Sequence, residues 1–470
     1  MDILTQLIGN INDVILTYIL IIMLLGCAFW FTYKTKFVQF RMIGEMVRLL
    51  GDSTGKTEGR EHHISSFQAF AISIASRVGT GNLAGVATAI TLGGPGAVFW
   101  MWVIALFGAS SAFIESTLAQ LYKVHGHNSF VGGPAYYMKK GLKQPWMGIL
   151  FAFLLIFTFG FAFNSVQSNT ICAAFEEAFN ISPALMGCIL TALTLIIIFG
   201  GIQRIAKVSS IIVPIMALGY IFLALFIVIM NVKHLPEVIE LIIENAFGWE
   251  QALGGGIGIA LMQGIKRGLF SNEAGMGSAP NAAASADVSH PVKQGLVQML
   301  SVFIDTLLVC TATAMMCMCA NPEGLVADAA GAAYVQQSMQ IALGDFGPIF
   351  IAVAMSLFAF TTLIGNYYYT EGCLKFILKR TPSKAFMLIF RLIATALVFV
   401  GALLSAGIVW DTADMLQAFM VIINVPVIII IAKPALAALK DYMSQRKEGK
   451  DPVFKSSNIG LKGKTECWED

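Results

Sequence analysis

The chain has 470 residues, of which 57% are hydrophobic and only 12% are charged, and its formal net charge is +2. This composition excludes an ordinary soluble protein and a basic nucleic-acid-binding protein, so no nucleic-acid partner is expected. Apolar runs such as residues 15–31 are long enough to cross a lipid bilayer as helices. We therefore predict an all-α polytopic membrane protein.

Apolar runs bounded by charged residues, glycine or proline predict eleven transmembrane helices. These spans are residues 14–32, 64–92, 97–122, 147–175, 184–200, 208–230, 252–280, 293–319, 346–370, 386–405 and 413–432. The basic residues test the count, because with the N-terminus outside nearly all loop Lys and Arg fall on the cytoplasmic side. Lys233 is the exception. The positive-inside rule thus favours an outside N-terminus and a cytoplasmic C-terminus in the plasma membrane.

A polar stretch in the second span, residues 77–85, recurs in the seventh span. At one ungapped offset of 190 positions, Arg77, Asn82 and Glu115 correspond to Arg267, Asn272 and Asp305. Apolar helices resemble one another by composition, but that does not explain matched residues that are rare inside spans. Five spans separate the two copies, so the copies enter the membrane from opposite sides. Such five-plus-five inverted repeats with interrupted helices are typical of secondary transporters.

The repeat divides the chain into four parts. Residues 1–63 hold the extra first span and a cytoplasmic helix on the membrane surface, predicted near residues 37–50 from its amphipathic pattern. Residues 64–231 form the first repeat and residues 250–440 the second. The polar cytoplasmic tail, residues 441–470, is expected to be poorly ordered.

Three glycines, Gly79, Gly81 and Gly85, weaken the second span where it crosses the middle of the membrane. Non-helical backbone is tolerated there only against protein or a wet cavity. Freed amides can bind a carboxylate and freed carbonyls a cation, so a break suits an amino acid together with a metal ion. For the glycines at residues 254–258 we favour close helix packing instead.

Two motifs carry a family resemblance. Residues 76–102, SRVGTGNLAGVATAITLGGPGAVFWMW, and residues 267–284, RGLFSNEAGMGSAPNAAA, resemble the alanine or glycine:cation symporter family of the amino acid–polyamine–organocation superfamily. The resemblance covers nearly the whole chain and implies sodium-driven uptake of alanine or glycine by alternating access. It implies a sodium ion as coupling ion, no organic cofactor, and a monomer or weak oligomer in membrane lipid.

The resemblance also implies a substrate site made by both breaks and the fourth span. The expected residues are Thr80, Gly81, Asn82, Gln167, Phe270, Ser271, Asn272 and Met276. The first break, residues 80–82, would hold the substrate carboxylate or a sodium near it, and residues 270–272 would receive the ammonium group. Gln167 is expected at the substrate, whereas Asn164 and Asn169 are expected to make hydrogen bonds between helices.

A sodium site is implied between the ninth span and the first break. In the superfamily fold, paired hydroxyls of this helix bind sodium together with backbone carbonyls, and sodium is a hard cation that prefers oxygen ligands. The expected ligands are Ala75, Val78, Phe358, Thr361 and Thr362.

Charged residues inside the spans are expected to have partners, because an unpaired charge at mid-membrane costs roughly 2.5 to 3.5 kcal/mol. We predict two pairs, Arg77 with Glu115 and Arg267 with Asp305. In the alternative, Glu115 or Asp305 carries a coupling proton. Glu273 is a third candidate, for contact with an ion or with the substrate amine.

Other functions remain as alternatives. The chain could be a proton-coupled carrier, or a carrier of another neutral amino acid such as glutamine or serine. A passive channel or facilitator is a more remote alternative. A membrane enzyme is disfavoured, because no hydrolase or metalloprotease motif occurs.

Overall fold

A computed structural model describes residues 8–9, 11–12, 15–52, 64–126, 129–247, 256–321, 329–379 and 382–469, with backbone alone for 16–18, 201–203 and 256–257. The predicted glycine run at residues 254–258 therefore lies partly outside the described residues. Nearly all of the described chain is helical. A short antiparallel hairpin pairs Val124–His125 with Phe130–Val131.

The α-helices occur in chain order as two series. In the first half they are Ile21–Lys34, Val38–Arg41, Ile43–Leu50, Ser66–Arg77, Ala84–Gly93, Gly96–Leu121, Pro134–Lys140, Pro145–Phe157, Phe163–Phe179, Pro183–Ile198, Gly201–Met230 and Leu235–Phe247. In the second half they are Gly256–Asn272, Pro280–Ser285, Pro291–Val302, Thr311–Ala320, Gly331–Leu343, Phe346–Leu378, Lys384–Leu403, Ala406–Ile430 and Ala432–Lys447.

Seven helices of the described chain are long and apolar enough to cross a membrane. They are Gly96–Leu121, Pro145–Phe179, Arg204–Met230, Pro291–Ala320, Phe346–Leu378, Lys384–Leu403 and Ala406–Ile430. Ile21–Lys34 and Pro183–Ile198 are apolar but shorter. The chain is thus a mostly helical, multi-pass membrane protein, as predicted. The count of eleven spans stays a prediction.

The second predicted span is divided into two helices, and the seventh breaks before its predicted end and is followed by a second, short helix. The first broken helix consists of Ser66–Arg77 and Ala84–Gly93, and it starts with a capping box in which Ser65 and Gln68 satisfy each other's backbone amides. The second broken helix consists of Gly256–Asn272 and Pro280–Ser285. The two broken helices pack against each other, and both contact helix Gly96–Leu121. The breaks therefore meet in the protein interior.

Two long helices contain π-helical turns beside these breaks. The first turn, Thr158–Ala162, leads directly into the helix that carries Gln167. The second, Phe303–Cys310, carries Asp305. A π-turn inserts one extra residue per turn and re-aims the side chains that follow, and such turns are frequent at functional sites.

The predicted surface helix is present as Ile43–Leu50. Met46 and Leu49 are buried, whereas Ile43 and Val47 are about half exposed. The exposed apolar side is consistent with a helix at the membrane surface.

The expectation of a poorly ordered tail is wrong. Helix Ala432–Lys447 continues past the predicted boundary, and residues 451–469 pack on one end of the helical bundle. The indole N–H of Trp468 donates to the carbonyl of Gln120 at 2.7 Å, and the backbone N–H of Phe454 donates to Ser289 at 2.9 Å. Both aromatic side chains are buried, so a few apolar residues anchor an otherwise polar segment.

Candidate functional site

The first broken helix loses its helical backbone at Val78 and Gly79. Val78 is extended, with φ −76° and ψ 93°, and Gly79 has φ −141° and ψ −147°. A short 3₁₀ turn, Thr80–Asn82, then leads into the second half-helix. The Gly79 amide donates to Asn82 Oδ1 at 2.9 Å. Extended residues leave the helical hydrogen-bond ladder, so their polar backbone groups can face a ligand.

Gln167 closes one side of this break. Its Oε1 accepts a hydrogen bond from the Thr80 amide at 2.9 Å. A Cβ atom on Gly79 would lie 2.5 Å from Thr362 Oγ1 and 2.7 Å from Gln167 Oε1, so only glycine fits here. Thr80 Oγ1 is buried and has no hydrogen-bond partner within the described chain. The structure thus brings Gln167, Thr80 and Thr362 together around Gly79, and the Thr80 hydroxyl is available to a ligand.

The second break follows Asn272. Glu273 has φ 56°, and Gly275 and Gly277 both have φ 87°, so the chain turns through left-handed backbone before the next half-helix begins. Asn272 makes its hydrogen bonds within this region, because its Oδ1 accepts from the Ala274 amide at 3.0 Å and its Nδ2 donates to Thr306 at 3.3 Å. Asn272 therefore stabilises the second break and does not bridge to the first.

Ser271 and Asn82 join the two breaks. Asn82 Nδ2 donates to Ser271 Oγ at 2.9 Å and to Asp305 Oδ1 at 2.8 Å, while Ser271 donates to Asp305 Oδ2 at 2.6 Å. All three side chains are fully buried. This cluster joins the two broken helices. It contains the carboxylate of Asp305, for which the sequence predicted Arg267 as the partner.

Phe270 forms part of an aromatic stack. Its ring centroid lies 4.5 Å from that of Phe163 and 4.9 Å from that of Trp410. A Cβ atom on Gly81 would lie 2.8 Å from the Phe270 ring, so this ring covers the first break directly. Phe270 and Gly81, two residues of the expected substrate site, are thus in contact.

Met276 is buried, and a glycine lies on each side of it. The flanking glycines, Gly275 and Gly277, face Val425 and Phe151 respectively. The glycines beside Met276 thus pack on helices Ala406–Ile430 and Pro145–Phe157, whereas Glu273, at the start of the same break, lies 3.5 Å from Ser76 of the first broken helix.

Oxygen atoms converge at the expected sodium site. Thr362 Oγ1 lies 3.0 Å from Ala75 O, 3.2 Å from Val78 O and 3.1 Å from Phe358 O. The single hydroxyl hydrogen of Thr362 faces three carbonyl oxygens, and such oxygen-rich groupings suit a hard cation. Thr361 Oγ1 lies 2.8 Å from Phe358 O and points towards Met216. Thr362 is therefore the central hydroxyl and Thr361 is peripheral.

A cavity of about 570 Å³ opens beside the half-helices Ala84–Gly93 and Gly256–Asn272. Both broken helices line it, together with helices Phe163–Phe179 and Ala406–Ile430. Trp410 belongs to this lining, and the same ring stacks on Phe270. Trp410 thus connects the cavity lining to Phe270, the ring that covers Gly81. The volume lies within the range of small-molecule sites.

The predicted pairing of Arg267 with Asp305 is wrong. Arg267 binds Asp414 in a bidentate manner, with N–O distances of 2.8 and 3.3 Å, and Lys266 contacts the same carboxylate at 2.5 Å. The Arg267 guanidinium also lies 4.6 Å from the ring centroid of Trp410. Two adjacent cations require an anion close by, and Asp414 supplies it from helix Ala406–Ile430.

The predicted pairing of Arg77 with Glu115 is also not formed. Arg77 Nη1 donates to Ser301 Oγ and to the carbonyl of Gln298. Glu115 instead accepts from the Gly275 amide at 3.3 Å and from Asn424 at 3.0 Å. The two halves of the chain thus have similar residues at positions 190 apart, but the side chains at these positions have different partners in the two halves.

The hydrogen bonds expected between helices are confirmed for both asparagines of the fourth span. Asn169 donates to the carbonyl of Leu404 at 2.6 Å, and Asn164 accepts from Asn366 at 2.9 Å.

Asp414 and Trp410 were missed at the sequence level. Asp414 had a usable signal, since an ionisable residue inside an apolar span is a functional candidate by default. Trp410 lay in a predicted loop and carried no such signal.

Breaking the Arg267–Asp414 pair is expected to destabilise the protein. Asp414→Asn leaves Arg267 and Lys266 without their anion in a buried place, which costs about 3 to 5 kcal/mol. Thermal unfolding of the purified protein in detergent measures the loss. Glu177→Gln is the control, because it neutralises an exposed carboxylate lining the same cavity and is expected to change stability by less than about 0.5 kcal/mol. Equal melting temperatures for the two variants would contradict the role of the pair.

Comparison with known proteins supports a transporter. Residues 1–456 match the sodium:alanine symporter family. The probable sodium/glutamine symporter GlnT of Bacillus subtilis is 48% identical, with 99% of this chain and 96% of that protein covered. The amino-acid carrier protein AlsT of the same organism is 50% identical, with 99% of this chain and 98% of that protein covered. The sodium/alanine symporter AgcS of Methanococcus maripaludis is 36% identical, with 94% of this chain and 98% of that protein covered.

A solved structure has a similar fold at low sequence identity. The manganese transporter of Eremococcus coleocola superposes with a TM-score of 0.55 over 89% of this chain and 85% of that chain, at 13% identity. The likeness places the helices in a known membrane-transporter fold. From the family match over almost the whole length, the chain belongs to the sodium:alanine symporter family and is a membrane transporter, not an enzyme.

Proposed function

We propose that the protein is a sodium-coupled symporter that carries a small neutral amino acid, alanine or glycine first, into the cell by alternating access. One observation carries the proposal. At Gly79, the broken backbone, the Gln167 side chain and the Thr362 hydroxyl with its three carbonyls lie within a few ångströms of one another. A carboxylate-binding surface and a cation-binding surface thus share one residue.

The neighbouring side chains favour a small substrate. Thr80 and the backbone of residues 80–82 bind the substrate carboxylate, and Phe270 with Ser271 lies on the ammonium side. Because the Phe270 ring is packed against Gly81 and Phe163, little room remains for a long side chain. Relatives named as an amino-acid carrier and a sodium/alanine symporter support this substrate class.

Sodium completes the site. It binds the carbonyls of Ala75, Val78 and Phe358 and the hydroxyls of Thr361 and Thr362, next to the carboxylate of the substrate. Each ligand then raises the affinity of the other, because thermodynamic coupling between two sites is reciprocal. Only the doubly loaded carrier changes its accessible side readily, and so the sodium gradient drives uptake.

The architecture that fits this cycle has eleven spans in a five-plus-five inverted repeat after one extra helix. The repeat units are residues 64–231 and 250–440, with the N-terminus outside and the C-terminus cytoplasmic in the plasma membrane. The arginines at positions 77 and 267 support the repeat, because each lies near the end of the helix preceding a break. The cysteine-accessibility pattern of the loops tests this topology.

Uptake into proteoliposomes tests the function. Labelled alanine is expected to accumulate above its external concentration when sodium is outside, and to fail to accumulate when choline replaces sodium. Accumulation that persists equally in choline would remove sodium coupling from the proposal. Equilibration without accumulation would indicate a passive facilitator.

Glutamine is a second candidate substrate, because the sodium/glutamine symporter GlnT is 48% identical over nearly the full length. Competition against labelled alanine separates the two. Unlabelled alanine and glycine are expected to compete at lower concentrations than glutamine and serine. The reverse order would make glutamine the substrate of choice.

Gln167→Ala is expected to weaken substrate binding. The substitution removes the side chain that holds the first break in place through the Thr80 amide and that we propose to contact the substrate. Loss of one hydrogen bond in the loaded site costs about 1 to 3 kcal/mol, or roughly five- to 150-fold in affinity. The apparent alanine affinity in the uptake assay measures this loss.

Ser168→Ala is the matched control on the same helix. The Ser168 hydroxyl is buried but donates to Ser165 O within its own helix. Its loss is expected to leave alanine affinity within about twofold of the original, as for most substitutions that leave no buried group unsatisfied. An unchanged affinity in Gln167→Ala would remove Gln167 from the site.

A further inference from the structure

Three carboxylates that are fully buried lie between the two broken helices and their neighbours: Glu115, Glu273 and Asp305. Arg77 is the cation that faces all three. Arg267 and Lys266 are engaged by Asp414 and are not shared with this group. One guanidinium cannot neutralise three carboxylates, so the hydrogen bonds of each carboxylate decide which of them is stable as an anion.

Asp305 and Glu115 are well supplied with donors. Asp305 accepts hydrogen bonds from Asn82, Ser271 and Thr306 at 2.6 to 2.9 Å. Glu115 accepts from an amide and from the side chain of Asn424, as described above. Hydrogen bonds donated to a carboxylate stabilise its charged form.

Glu273 has fewer donors. Its Oε2 accepts from Ser278, and its Oε1 lies 3.5 Å from Ser76 Oγ. The Ser76 hydroxyl lies much closer, 2.7 Å, to Asn366 Oδ1, and the Asn366 amide group donates to Asn164. The only hydrogen of Ser76 is therefore directed at Asn366, and Ser76 presents a lone pair to Glu273. A hydrogen bond between Glu273 and Ser76 then requires a proton on the carboxyl group.

Arg77 is the partner that an ionised Glu273 would use. Its Nε and Nη2 groups are buried without hydrogen-bond partners in the described part of the chain, although its Nη1 is bonded. No ion pair within 4.0 Å involves this guanidinium among the described residues. The other groups facing Glu273 are the carboxylates Glu115 and Asp305 and the phenol of Tyr369.

We propose that Glu273 is a proton-binding site of the transport cycle, protonated while Arg77 is unpaired and paired with Arg77 once the proton has left. The proposal rests on the proposed function and adds a co-transported ion to it. In the release step the O–H bond of the Glu273 carboxyl group breaks, the proton passes to water on the side that is then open, and the carboxylate accepts hydrogen bonds from Arg77 Nε and Nη2. Loading reverses these changes, and no other bond is made or broken.

Ser76 connects this site to the proposed sodium site. The residue follows Ala75, and a Cβ atom on Gly365 would lie 2.8 Å from the Ser76 backbone nitrogen, so Ser76 packs closely on the helix that carries Thr362. Protonation of Glu273 and the packing at the sodium site thus involve the same short stretch of the first broken helix.

Proton movement is measured in proteoliposomes that contain the pH indicator pyranine, with the membrane potential clamped by valinomycin and potassium. When sodium and alanine are added outside, the wild-type lumen is expected to acidify as labelled alanine enters. Glu273→Gln is expected to lose this acidification while keeping sodium-dependent stabilisation by alanine in thermal unfolding. Glu115→Gln is the control and is expected to acidify the lumen in the same ratio to alanine as wild type.

Two results would overturn the proposal. Sodium-dependent alanine uptake by wild type without acidification beyond protein-free vesicles would exclude a transported proton and leave the proposed function intact. Acidification by Glu273→Gln in the wild-type ratio would exclude Glu273. If Glu273→Gln does not fold, Glu273→Asp decides. It keeps a titratable group and is expected to move protons with a displaced pH dependence, and an unchanged dependence would count against the site.

Discussion

Thr362→Val is expected to remove most sodium-driven alanine uptake at ordinary sodium concentrations. Valine keeps the shape of threonine and takes away the one hydroxyl that lies among the carbonyls of Ala75, Val78 and Phe358. Loss of one oxygen ligand in a buried site, with the remaining carbonyls left against a methyl group, costs about 1 to 3 kcal/mol. The sodium concentration for half-maximal uptake is expected to rise roughly five- to 150-fold.

Thr370→Val is the matched control for Thr362. Thr370 is buried on the same helix, and its hydroxyl donates to the carbonyl of Asn366 one turn earlier. The control is expected to keep the original sodium dependence. Thr361→Val is expected to give a smaller rise than Thr362→Val, because the Thr361 hydroxyl reaches only Phe358 O among the expected ligands. If Thr362→Val behaved like Thr370→Val, the sodium site would lie elsewhere.

Gly79→Ala is expected to abolish uptake altogether. The added methyl group would be placed 2.5 Å from Thr362 Oγ1 and 2.7 Å from Gln167 Oε1, closer than van der Waals contact allows. Thr362 and Gln167 must therefore both move away. Thr362 belongs to the proposed sodium site and Gln167 to the proposed substrate site. Both substrate affinity and sodium affinity are therefore expected to fall in this one variant, and equilibrium binding of labelled alanine at several sodium concentrations measures both.

Gly85→Ala tests whether the effect depends on position. Gly85 lies in the half-helix Ala84–Gly93, and the nearest atom to an added Cβ is 3.8 Å away in Trp410. Alanine is also a better helix former than glycine, by about 1 kcal/mol. This variant is expected to retain uptake and to melt at the same or a slightly higher temperature. Comparable loss in both variants would mean that the stretch tolerates no added volume.

The backbone breaks were predictable because glycines and polar residues stand out in an apolar run. The cluster at residues 79–82 marks the first break correctly. The second break was expected at residues 270–272, but these are the last residues of helix Gly256–Asn272, and the backbone leaves the helix only from Glu273. Gly85 was predicted to belong to the first break, but it is helical. The prediction was wrong because three glycines in one stretch do not show which of them leaves the helix. The glycine that leaves the helix is identified by a close contact with another helix, and this glycine is Gly79, which lies against Thr362.

The partners of the charged residues were not predictable from the repeat. Sequence symmetry suggested that Arg267 would repeat the partner of Arg77, but side chains pair with the nearest complementary group in three dimensions. Asp414 lies 147 positions after Arg267, on a helix whose approach is fixed by packing in the folded state. The expectation that the tail is poorly ordered was wrong for a similar reason. The average composition of the tail is polar, but two buried aromatic residues fix its position.

Those two aromatic residues affect how the protein should be prepared. A truncation after Gly449, a natural choice for a tail assumed to be disordered, would remove Phe454 from the His290 ring and Trp468 from the Lys123 ammonium group. It would also remove Asp451, which contacts Lys293 at 2.9 Å. Shortened versions intended for crystallisation or tagging would thus expose buried surface at this end of the bundle and lose solubility in detergent.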